Sequence, residues 1–516
     1  MCALLPFCAL ALSAAPLGHD LLLELTRIAA YRAALLDGQF PPYWAGELYA
    51  GMGSPIFLFY GHGFLALSSA LSFVSGSYVR AALLGQALAT AFGAWALQRT
   101  AAELRLGPAA QRVAVYAYVL NPYLLGDVLL RNGNTEYTAL CLLPLALFGV
   151  ARADTLIVAG GAALVICAHP LVALFLGLCC PCIAGFERKR WLALARGAGL
   201  AIALSAWAWL PVLAYGSSVQ RDQLLRGKFD FHHNFVALAE LVGMDSFYEP
   251  GPLPLAAAAS ALLIARRDRW ALTVGAGVVL LAVLQLRAAA PIWEVARFAK
   301  YLQFPWRLMG PLALLGALAA AYVFERVGRR WLELLVLAAC IGIALPQLLR
   351  VRLVHARAVE ASLGLDNLAG QAHSATVGDE YLPQGASRAL ARVPARDRPL
   401  IASADVAVRT LVDEPRWLLL DVDLPHAELL CVARYQFEFW QLKLDARELR
   451  HRAGGEGCLD LYVPAGKHRI EATLPVPRWR AIGMLVSACT LAAVGIGMRR
   501  RKQHRVGLAR ARLSQQ

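Results

Sequence analysis

Charge is scarce in this sequence. Asp, Glu, Lys and Arg make up 16% of its 516 residues, where a soluble globular chain carries about a quarter. With 59% hydrophobic residues and a mean hydropathy of +0.52, too little polar surface remains to coat a particle in water. A core grows with volume while charge must cover area. A purely soluble fold is therefore excluded, and lipid is the natural solvent for the excess. Acid is the scarcer sign, with 35 acidic against 50 basic residues and a formal net charge of +15. The basic residues fall in short clusters between apolar runs, where positive-inside bias places them, so no nucleic-acid partner is expected. Cys/His spacing of the zinc type is missing outside the Cys179-Cys180-Pro181-Cys182 group, which lies in an apolar run. Most of the eleven cysteines (Cys141, Cys167, Cys340 and Cys489 among them) sit in such runs as small hydrophobes. Cys431 and Cys458 alone share a polar segment; a disulfide between them is open, and requires that segment to face an oxidising compartment. No clear internal repeat occurs, and a basic stretch before the first apolar run is also missing. The reading preferred for that run is a retained helix; Ser13-Ala14-Ala15 resembles a cleavage site and keeps a signal peptide as the alternative.

What is present is a series of apolar runs. A spanning helix needs roughly twenty apolar residues, and candidate spans lie near 2–17, 79–97, 112–130, 137–152, 154–168, 170–186, 192–214, 253–265, 270–288, 306–324, 331–349 and 480–498. The run 55–75 is apolar too, but contains Pro55, Tyr60, Gly61, His62, Gly63 and several serines. If it dips into the interface without crossing, the basic loops Arg99–Arg112, Arg188–Arg196, Arg266–Arg269, Arg326–Arg330 and the tail from Arg499 all fall on the cytoplasmic side. The expectation is thus a polytopic α-helical membrane protein of about 12 transmembrane helices, with both termini inside. Residues 1–349 form the membrane domain with an interfacial loop at 18–78, 480–498 the last span and 499–516 a basic cytoplasmic tail. Between them, 350–479 is more polar. Alternating runs at Trp417–Asp423, Ala433–Trp440 and Cys458–Val463, and a turn at Pro464–Lys467 leading into His468–Leu474, predict a small antiparallel β-sandwich outside the membrane.

Polar residues concentrate at the outer ends of the spans. Gly18-His19-Asp20 follows the first run, and Asp20, Glu24, Arg27 and Tyr31 fall on one face of an interfacial helix. That face could be solvated surface only, but a carboxylate at a membrane junction beside a histidine can act as a general base or metal ligand. Arg131-Asn132-Gly133-Asn134-Thr135-Glu136 is a tight outer turn. Asn-Gly is ordinary turn chemistry and Glu136 can cap the next helix; equally, Arg131 and Glu136 can project toward Asp20. A third cluster holds Trp293, Glu294, Arg297, Lys300, Gln303, Trp306 and Arg307. Its aromatics suit an interface belt, whereas Arg297, Lys300 and Arg307 run against the charge bias, and an anionic lipid phosphate is a partner that explains them. His169-Pro170 reads first as a helix-turn feature and only then as a candidate ligand.

The order of these features resembles the glycosyltransferase C (GT-C) superfamily, membrane enzymes that use polyprenyl-phosphate-linked sugars. There an acidic residue follows the first helix and a second follows the third span, positions that Asp20 and Glu136 match. A closer resemblance is to bacterial polytopic proteins with the 6-pyruvoyl-tetrahydropterin-synthase-related membrane domain. The matching segments are Gly18–Asp20, Gly38–Trp44, Gly51–Tyr60, Gln303–Arg307, Gly378–Pro383, Trp440 and Val463–His468 with the final helix. Where relatives carry a His four residues after the acid, this chain has Glu24, and no three-histidine zinc site of the soluble pterin enzyme is visible.

The resemblance implies a glycosyltransferase that moves a sugar from a polyprenyl-phosphate donor to a glycan or lipid acceptor of the cell envelope, on the outer face of a bacterial inner membrane. It makes Asp20 and Glu136 the acids, with a divalent cation as an open requirement and no other cofactor assigned. Charge placement gives Arg131, Arg297, Lys300 and Arg307 the donor phosphate, with His19, Glu24 and Arg27 beside them. The alternatives are a flippase or transporter for a lipid-linked glycan, which predicts broken helices and mid-membrane charge, and a catalytically silent envelope scaffold.

Overall fold

The computed structural model describes residues 13–513 apart from 265–267, 297–298, 330, 371–372, 377, 389–394, 396, 450–451 and 454–456. Residues 2–12 of the first expected span lie outside the described residues. Its end is not helical: β1 (Ala14–Pro16) pairs antiparallel with β2 (Leu353–His355). An amphipathic helix, α1 (Leu21–Leu36), follows. The 55–75 run divides into an irregular stretch around a 3-10 turn at Ile56–Leu58 and the helix α2 (Gly63–Ser75).

The helical layer continues as α3 (Tyr78–Glu103), α4 (Pro108–Val119), α5 (Pro122–Leu125), α6 (Asn134–Arg152), α7 (Thr155–Ala168), α8 (Pro170–Ala173), α9 (Leu176–Ala184), α10 (Arg188–Leu204), α11 (Ala206–Tyr215), α12 (Leu253–Ile264), α13 (Arg269–Val283), α14 (Ala290–Val295), α15 (Met309–Val327) and α16 (Leu332–Arg350). Side-chain caps set several starts: Ser77, Asp154 and Asp268 each accept a hydrogen bond from a first-turn backbone N–H. Among the described residues four helices are long and apolar enough to cross a membrane: α6, α15 with the turn before it, α16 and the last helix. The number is six if two bent pairs are each counted as one span, α4 with Pro122–Arg131 (47°) and α10 with α11 (69°). The dozen expected spans are therefore not reached by length and composition, because several apolar runs fold as shorter helices. Two of the breaks have a local cause. Asn121 and His169 each precede a proline, which disfavours helical geometry in the residue before it, and both are extended. The outward faces of α16 and the last helix expose Leu334, Leu335, Leu349, Leu485, Val486, Leu491 and Ile496, a surface that water would penalise and hydrocarbon would solvate.

After α17 (Ala356–Leu363) the chain builds two antiparallel sheets. One runs in the order β3 (Leu400–Ile401), β6 (Glu428–Tyr435), β10 (Cys458–Val463), β9 (Arg452–Ala453). The other runs β4 (Ala407–Glu414), β5 (Trp417–Leu424), β11 (Gly466–Thr473), β7 (Gln441–Leu444), β8 (Arg447–Leu449). Leu418, Leu420, Val422 and Leu424 alternate inward from β5 and meet Leu430, Val432, Leu459, Leu461 and Ile470, the period-2 burial of a sandwich core. The strand expected at 433–440 lies earlier, at 428–435. Pairing with β10 fixes its register, and the aromatic residues Phe437 and Trp440 beyond it pack into the core from a turn. Cys431 and Cys458 are joined as a disulfide.

The sandwich is seated on the segment that follows α1. Arg416 donates to both the carboxylate (2.5 Å) and the carbonyl of Asp37 and to the Tyr43 hydroxyl. Trp44 meets Trp440 edge to face, and Tyr435 N–H donates to the Met52 carbonyl. The turn that allows this needs glycine at 53, with φ +82° and a Cβ position 2.4 Å from the Trp44 ring. The last helix, α18 (Arg478–Leu513), is pinned by buried Arg480, which donates to the carbonyls of Pro42 and Trp207 and lies over the Trp207 ring.

Candidate functional site

Backbone contacts assemble the site before any side chain does. His19 N–H donates to the Leu130 carbonyl and Asp20 N–H to the Arg131 carbonyl (2.8 Å), laying the start of α1 against the end of the broken helix. Glycine is required at 18, where a Cβ would stand 2.0 Å from Asn132 Oδ1. Residues 126–131 form a π-helical turn that ends at Asn132 in left-handed geometry, and α6 then restarts with Glu136 in its first turn. A carboxylate there is favoured by the helix dipole.

Glu136 is fully engaged. Its Oε2 accepts from Arg131 Nη1 (2.9 Å) and Arg307 Nε (3.0 Å), and its Oε1 from the Tyr123 hydroxyl (2.9 Å). Arg131 Nη1 also donates to Asp127 Oδ1 at 2.8 Å, while its Nε lies 3.7 Å from Asp20. Arg307 Nη1 donates back to the Leu302 carbonyl (2.8 Å) and to Gln303 Oε1. Trp306 sits under the Arg131 guanidinium (5.3 Å), in an aromatic group with Phe304, Tyr248 and Phe247, and Phe247 meets the exposed ring of His19 edge to face. Asp20 differs from the other acids. Its side chain is 29% exposed and makes no hydrogen bond among the described residues, so it is the carboxylate available at the rim.

A second buried network lies alongside. Arg27 Nη1 donates to Glu24 Oε1 (2.6 Å) and to the Tyr60 hydroxyl (2.6 Å), Tyr60 donates to Glu24 (3.0 Å), and Tyr60 is 2.8 Å from the Thr135 hydroxyl. Arg27 Nε reaches the Ala375 carbonyl. Thr135 adjoins Glu136 in the chain, so the two networks share the first turn of α6. Burial pushes the Glu24 carboxyl above the ordinary carboxylate range, against the opposing charge of Arg27.

The expected residues thus divide. His19, Asp20, Arg131, Glu136 and Arg307 converge. Glu24 and Arg27 are buried instead of lying on a solvated helix face, because the 55–60 stretch and residue 375 cover α1, and Tyr31 turns to His62 (3.1 Å). Arg307 is only partly available to a phosphate: its Nε goes to Glu136 and its Nη1 to the Leu302 carbonyl and Gln303, which leaves Nη2 without a hydrogen bond among the described residues. Lys300 lies over the Tyr301 ring and has no carboxylate partner among the described residues. Arg297 lies outside the described residues. Sequence reasoning missed Tyr123 and Asp127, and passed over Tyr60, Thr135 and Tyr381 as site residues although each lies in a segment it singled out. An aspartate inside the 112–130 apolar run was a signal, since charge in such a run is costly and usually functional. The donor set does not fit a resident metal: Asp127 Oδ1 and Glu136 are tied to arginine, the free oxygens of Asp127 and Glu24 are buried, and among these acids Asp20 alone is open to solvent. The single His/Cys/Asp/Glu group with ligand spacing among the described residues is Cys431, Cys458 and Asp460, and its two sulfurs form the disulfide.

Comparison with known proteins finds similarity among solved structures. The chain is similar to the cryo-EM structure of arabinofuranosyltransferase AftD from Mycobacteria, with a TM-score of 0.48, 18% identity, and coverage of 69% of this chain and 27% of that one. It is also similar to a mutant form of the same protein, with a TM-score of 0.45, 19% identity, and coverage of 68% and 27%. The chain therefore spans about a quarter of the length of these structures. No family model matches the sequence, and no curated protein does.

What the arrangement can do chemically follows from its polarity. The rim offers one open carboxylate that can take a proton. Behind it the guanidiniums of Arg131 and Arg307 keep donors to spare beside a partly aromatic wall, which suits an anionic leaving group attached to an apolar tail.

Proposed function

We propose that the chain is a GT-C-type membrane glycosyltransferase that moves a sugar from a polyprenyl-phosphate donor to a cell-envelope glycan or lipid. The observation that carries the reading is Asp20, a partly exposed carboxylate 3.7 Å from the Arg131 guanidinium, which is otherwise paired with the buried acids Asp127 and Glu136. Asp20 accepts the proton of the acceptor hydroxyl as its oxygen bonds to the anomeric carbon. The bond from that carbon to the phosphate oxygen breaks, with inversion, and the polyprenyl phosphate leaves toward Arg131 and Arg307. Glu136 orients the two guanidiniums in this scheme; it does not transfer the proton. The resemblance to proteins with the 6-pyruvoyl-tetrahydropterin-synthase-related membrane domain supports an envelope role. The disulfide in the sandwich supports an oxidising, outer-face location on a bacterial inner membrane, with both termini cytoplasmic. Purified protein in nanodiscs, given radiolabelled polyprenyl-phosphate sugars and envelope glycans, should transfer label, and Asp20→Asn should abolish the transfer. Full activity of that variant sinks the assignment.

A second reading, transport of a lipid-linked glycan, has one observation in its favour. The bent pair α4 with Pro122–Arg131 carries Asp127 and Arg131 on its broken half, as transporter sites do. Movement of a fluorescent lipid-linked glycan across proteoliposomes, unchanged in Asp20→Asn, would favour it over transfer.

A further inference from the structure

The last helix carries a charge into the interior that no acid answers. Arg480 is fully buried, and no carboxylate pairs with it among the described residues. A buried guanidinium without a counter-charge is costly unless its donors are well used. Here they go to three segments far apart in the sequence. Nη2 donates to the Pro42 carbonyl (2.7 Å) and Nη1 to the Trp207 carbonyl (2.8 Å), and the two lie 3.4 and 3.5 Å from Nε2 of His62. A guanidinium only donates, so Nε2 accepts, and the ring carries its proton on Nδ1, 3.1 Å from the Tyr31 hydroxyl on α1. The His62 ring also packs on Trp207 (4.7 Å), over which the Arg480 guanidinium lies at 4.8 Å. The backbone here has little room to move. His62 N–H donates to the Cys167 carbonyl (2.8 Å), and a Cβ on Gly61 would stand 1.9 Å from the Ala168 carbonyl oxygen. Two residues before His62, the Tyr60 hydroxyl meets Arg27 (2.6 Å), Glu24 (3.0 Å) and Thr135 (2.8 Å), and its ring meets Tyr381 edge to face. Since β11 ends at Thr473 and α18 begins at Arg478, the helix that receives the sandwich also sets the position of His62.

We propose that Arg480 and His62 are positioning residues that make the last helix a strut of the candidate site. The guanidinium holds His62 as the Nδ1–H tautomer between Trp207 and Tyr31. The ring so held fixes the 60–62 backbone, which keeps the Tyr60 hydroxyl on Glu24, Arg27 and Thr135 beside Glu136. Ser487, two turns along the same helix, separates this role from ordinary docking. It accepts from the Trp207 N–H (3.3 Å) and donates to the Ala203 carbonyl (3.1 Å) at the α10–α11 break, but makes no hydrogen bond to residues 60–62.

The test is fluorine NMR of the full chain in nanodiscs with 3-fluorotyrosine in place of Tyr60, together with nitrogen NMR of the histidine rings. The His62 resonances, assigned as those lost in His62→Phe, should show the Nδ1–H tautomer in the wild type. Arg480→Leu removes the guanidinium, and His62→Phe keeps a ring on Trp207 but removes both nitrogens. Each should shift the fluorine resonance toward its position in the denatured chain. Arg480→Lys, which keeps a donor for Nε2, should bring it part-way back, and Ser487→Ala should leave it in place. The tautomer is read in the wild-type protein, so it decides even where Arg480→Leu does not fold. A fluorine resonance unmoved in Arg480→Leu and His62→Phe overturns the proposal. So does one that moves as far in Ser487→Ala, or a His62 ring protonated on Nε2. None of these readouts involves sugar transfer, so a protein that transfers no sugar refutes the proposed function and leaves the strut standing.

Discussion

Replacing Glu136 by Gln and Asp20 by Asn removes one carboxylate charge each, and the structure predicts very unequal losses of stability. Gln is isosteric with Glu. Its carbonyl can take the place of Oε2, accepting from Arg131 and Arg307, while its amide faces the Tyr123 hydroxyl, which can accept. The hydrogen bonds survive and the charge does not. Arg131 keeps Asp127 and Asp20 as counter-charges, but Arg307, only 7% exposed, loses its one ion pair among the described residues. Removing one partner of a buried pair costs about 3–5 kcal/mol, and the residual partners of Arg131 place Glu136→Gln near the lower figure, about 3 kcal/mol. Asp20 is 29% exposed and 3.7 Å from Arg131, the geometry of a weak pair worth about 0–1 kcal/mol. In nanodiscs, thermal unfolding followed by intrinsic fluorescence should show a fall of several degrees for Glu136→Gln and almost none for Asp20→Asn, although both lose transfer. If Glu136→Gln unfolds with the wild type, the buried-pair reasoning is wrong.

The sandwich disulfide closes a separation of 27 residues, which loop-closure entropy values at about 3.5 kcal/mol; the Cys431→Ala, Cys458→Ala double variant should lower the unfolding midpoint and speed proteolysis of 400–474, and an unchanged midpoint would refute this. Gly61→Ala drives a methyl into backbone at Ala168 with no flexible side chain to yield, so a loss at or above the upper end of about 1–3 kcal/mol is expected, whereas Gly160→Ala, with open space around it, should be neutral or better in the same melt. His468 is held above the usual histidine range by its hydrogen bond to Asp445, and Asp445 is held below the usual carboxylate range by the Arg469 backbone N–H and by His468. The pair's stabilisation is therefore complete below the unfolded histidine pKa and fades as pH rises through the raised value; from the carboxylate side it fades on acidification through the lowered value. NMR of the His468 ring should show titration above the ordinary value, returning toward it in Asp445→Asn; no difference between the two proteins would exclude the link.

Much of the fold was legible because it rests on local rules. Period-2 alternation placed β5, β10 and β11 within a residue or two, and the run 55–75 was set apart by its Pro, Gly and Ser content. What local pattern does not encode is length after a break. Runs that read as spans fall short of one: 170–186 divides into α8 and α9, and α12 fills 253–264 but its 12 residues are too few to cross alone. The β6 register was missed for a related reason. The alternating aromatics of 433–440 look like strand, but pairing with β10 decides where the ladder runs, and the aromatics fill the core from the turn after it. The fate of Glu24 and Arg27 was equally beyond pattern. Spacing put them on one face of α1, and only the arrival of residue 375 from more than 300 positions away made that face an interior.

The site residues share a cause that a single sequence does carry, though in scattered form. Tyr123, His169 and Arg307 each lie within two residues of a proline that opens a helical segment: Pro122, Pro170 and Pro305. Each preceding residue is extended, so three helices are interrupted there, and each interruption leaves backbone donors and carbonyls without helical partners. Irregular backbone among apolar helices is tolerated only where protein or polar groups cover it. Here the cover is the site itself. Asn121 caps the restart at Tyr123, His169 caps Val172, and Arg307 returns to the Leu302 carbonyl before spending its Nε on Glu136. Asn-Gly at 132–133 is the fourth interruption, and Gly18 and Gly61 let two further segments approach these breaks at backbone distance. The polar groups are thus gathered where the helices stop, and Gly18 and Gly61 determine how closely the carboxylate of Asp20 and the hydroxyl of Tyr60 can be brought to them.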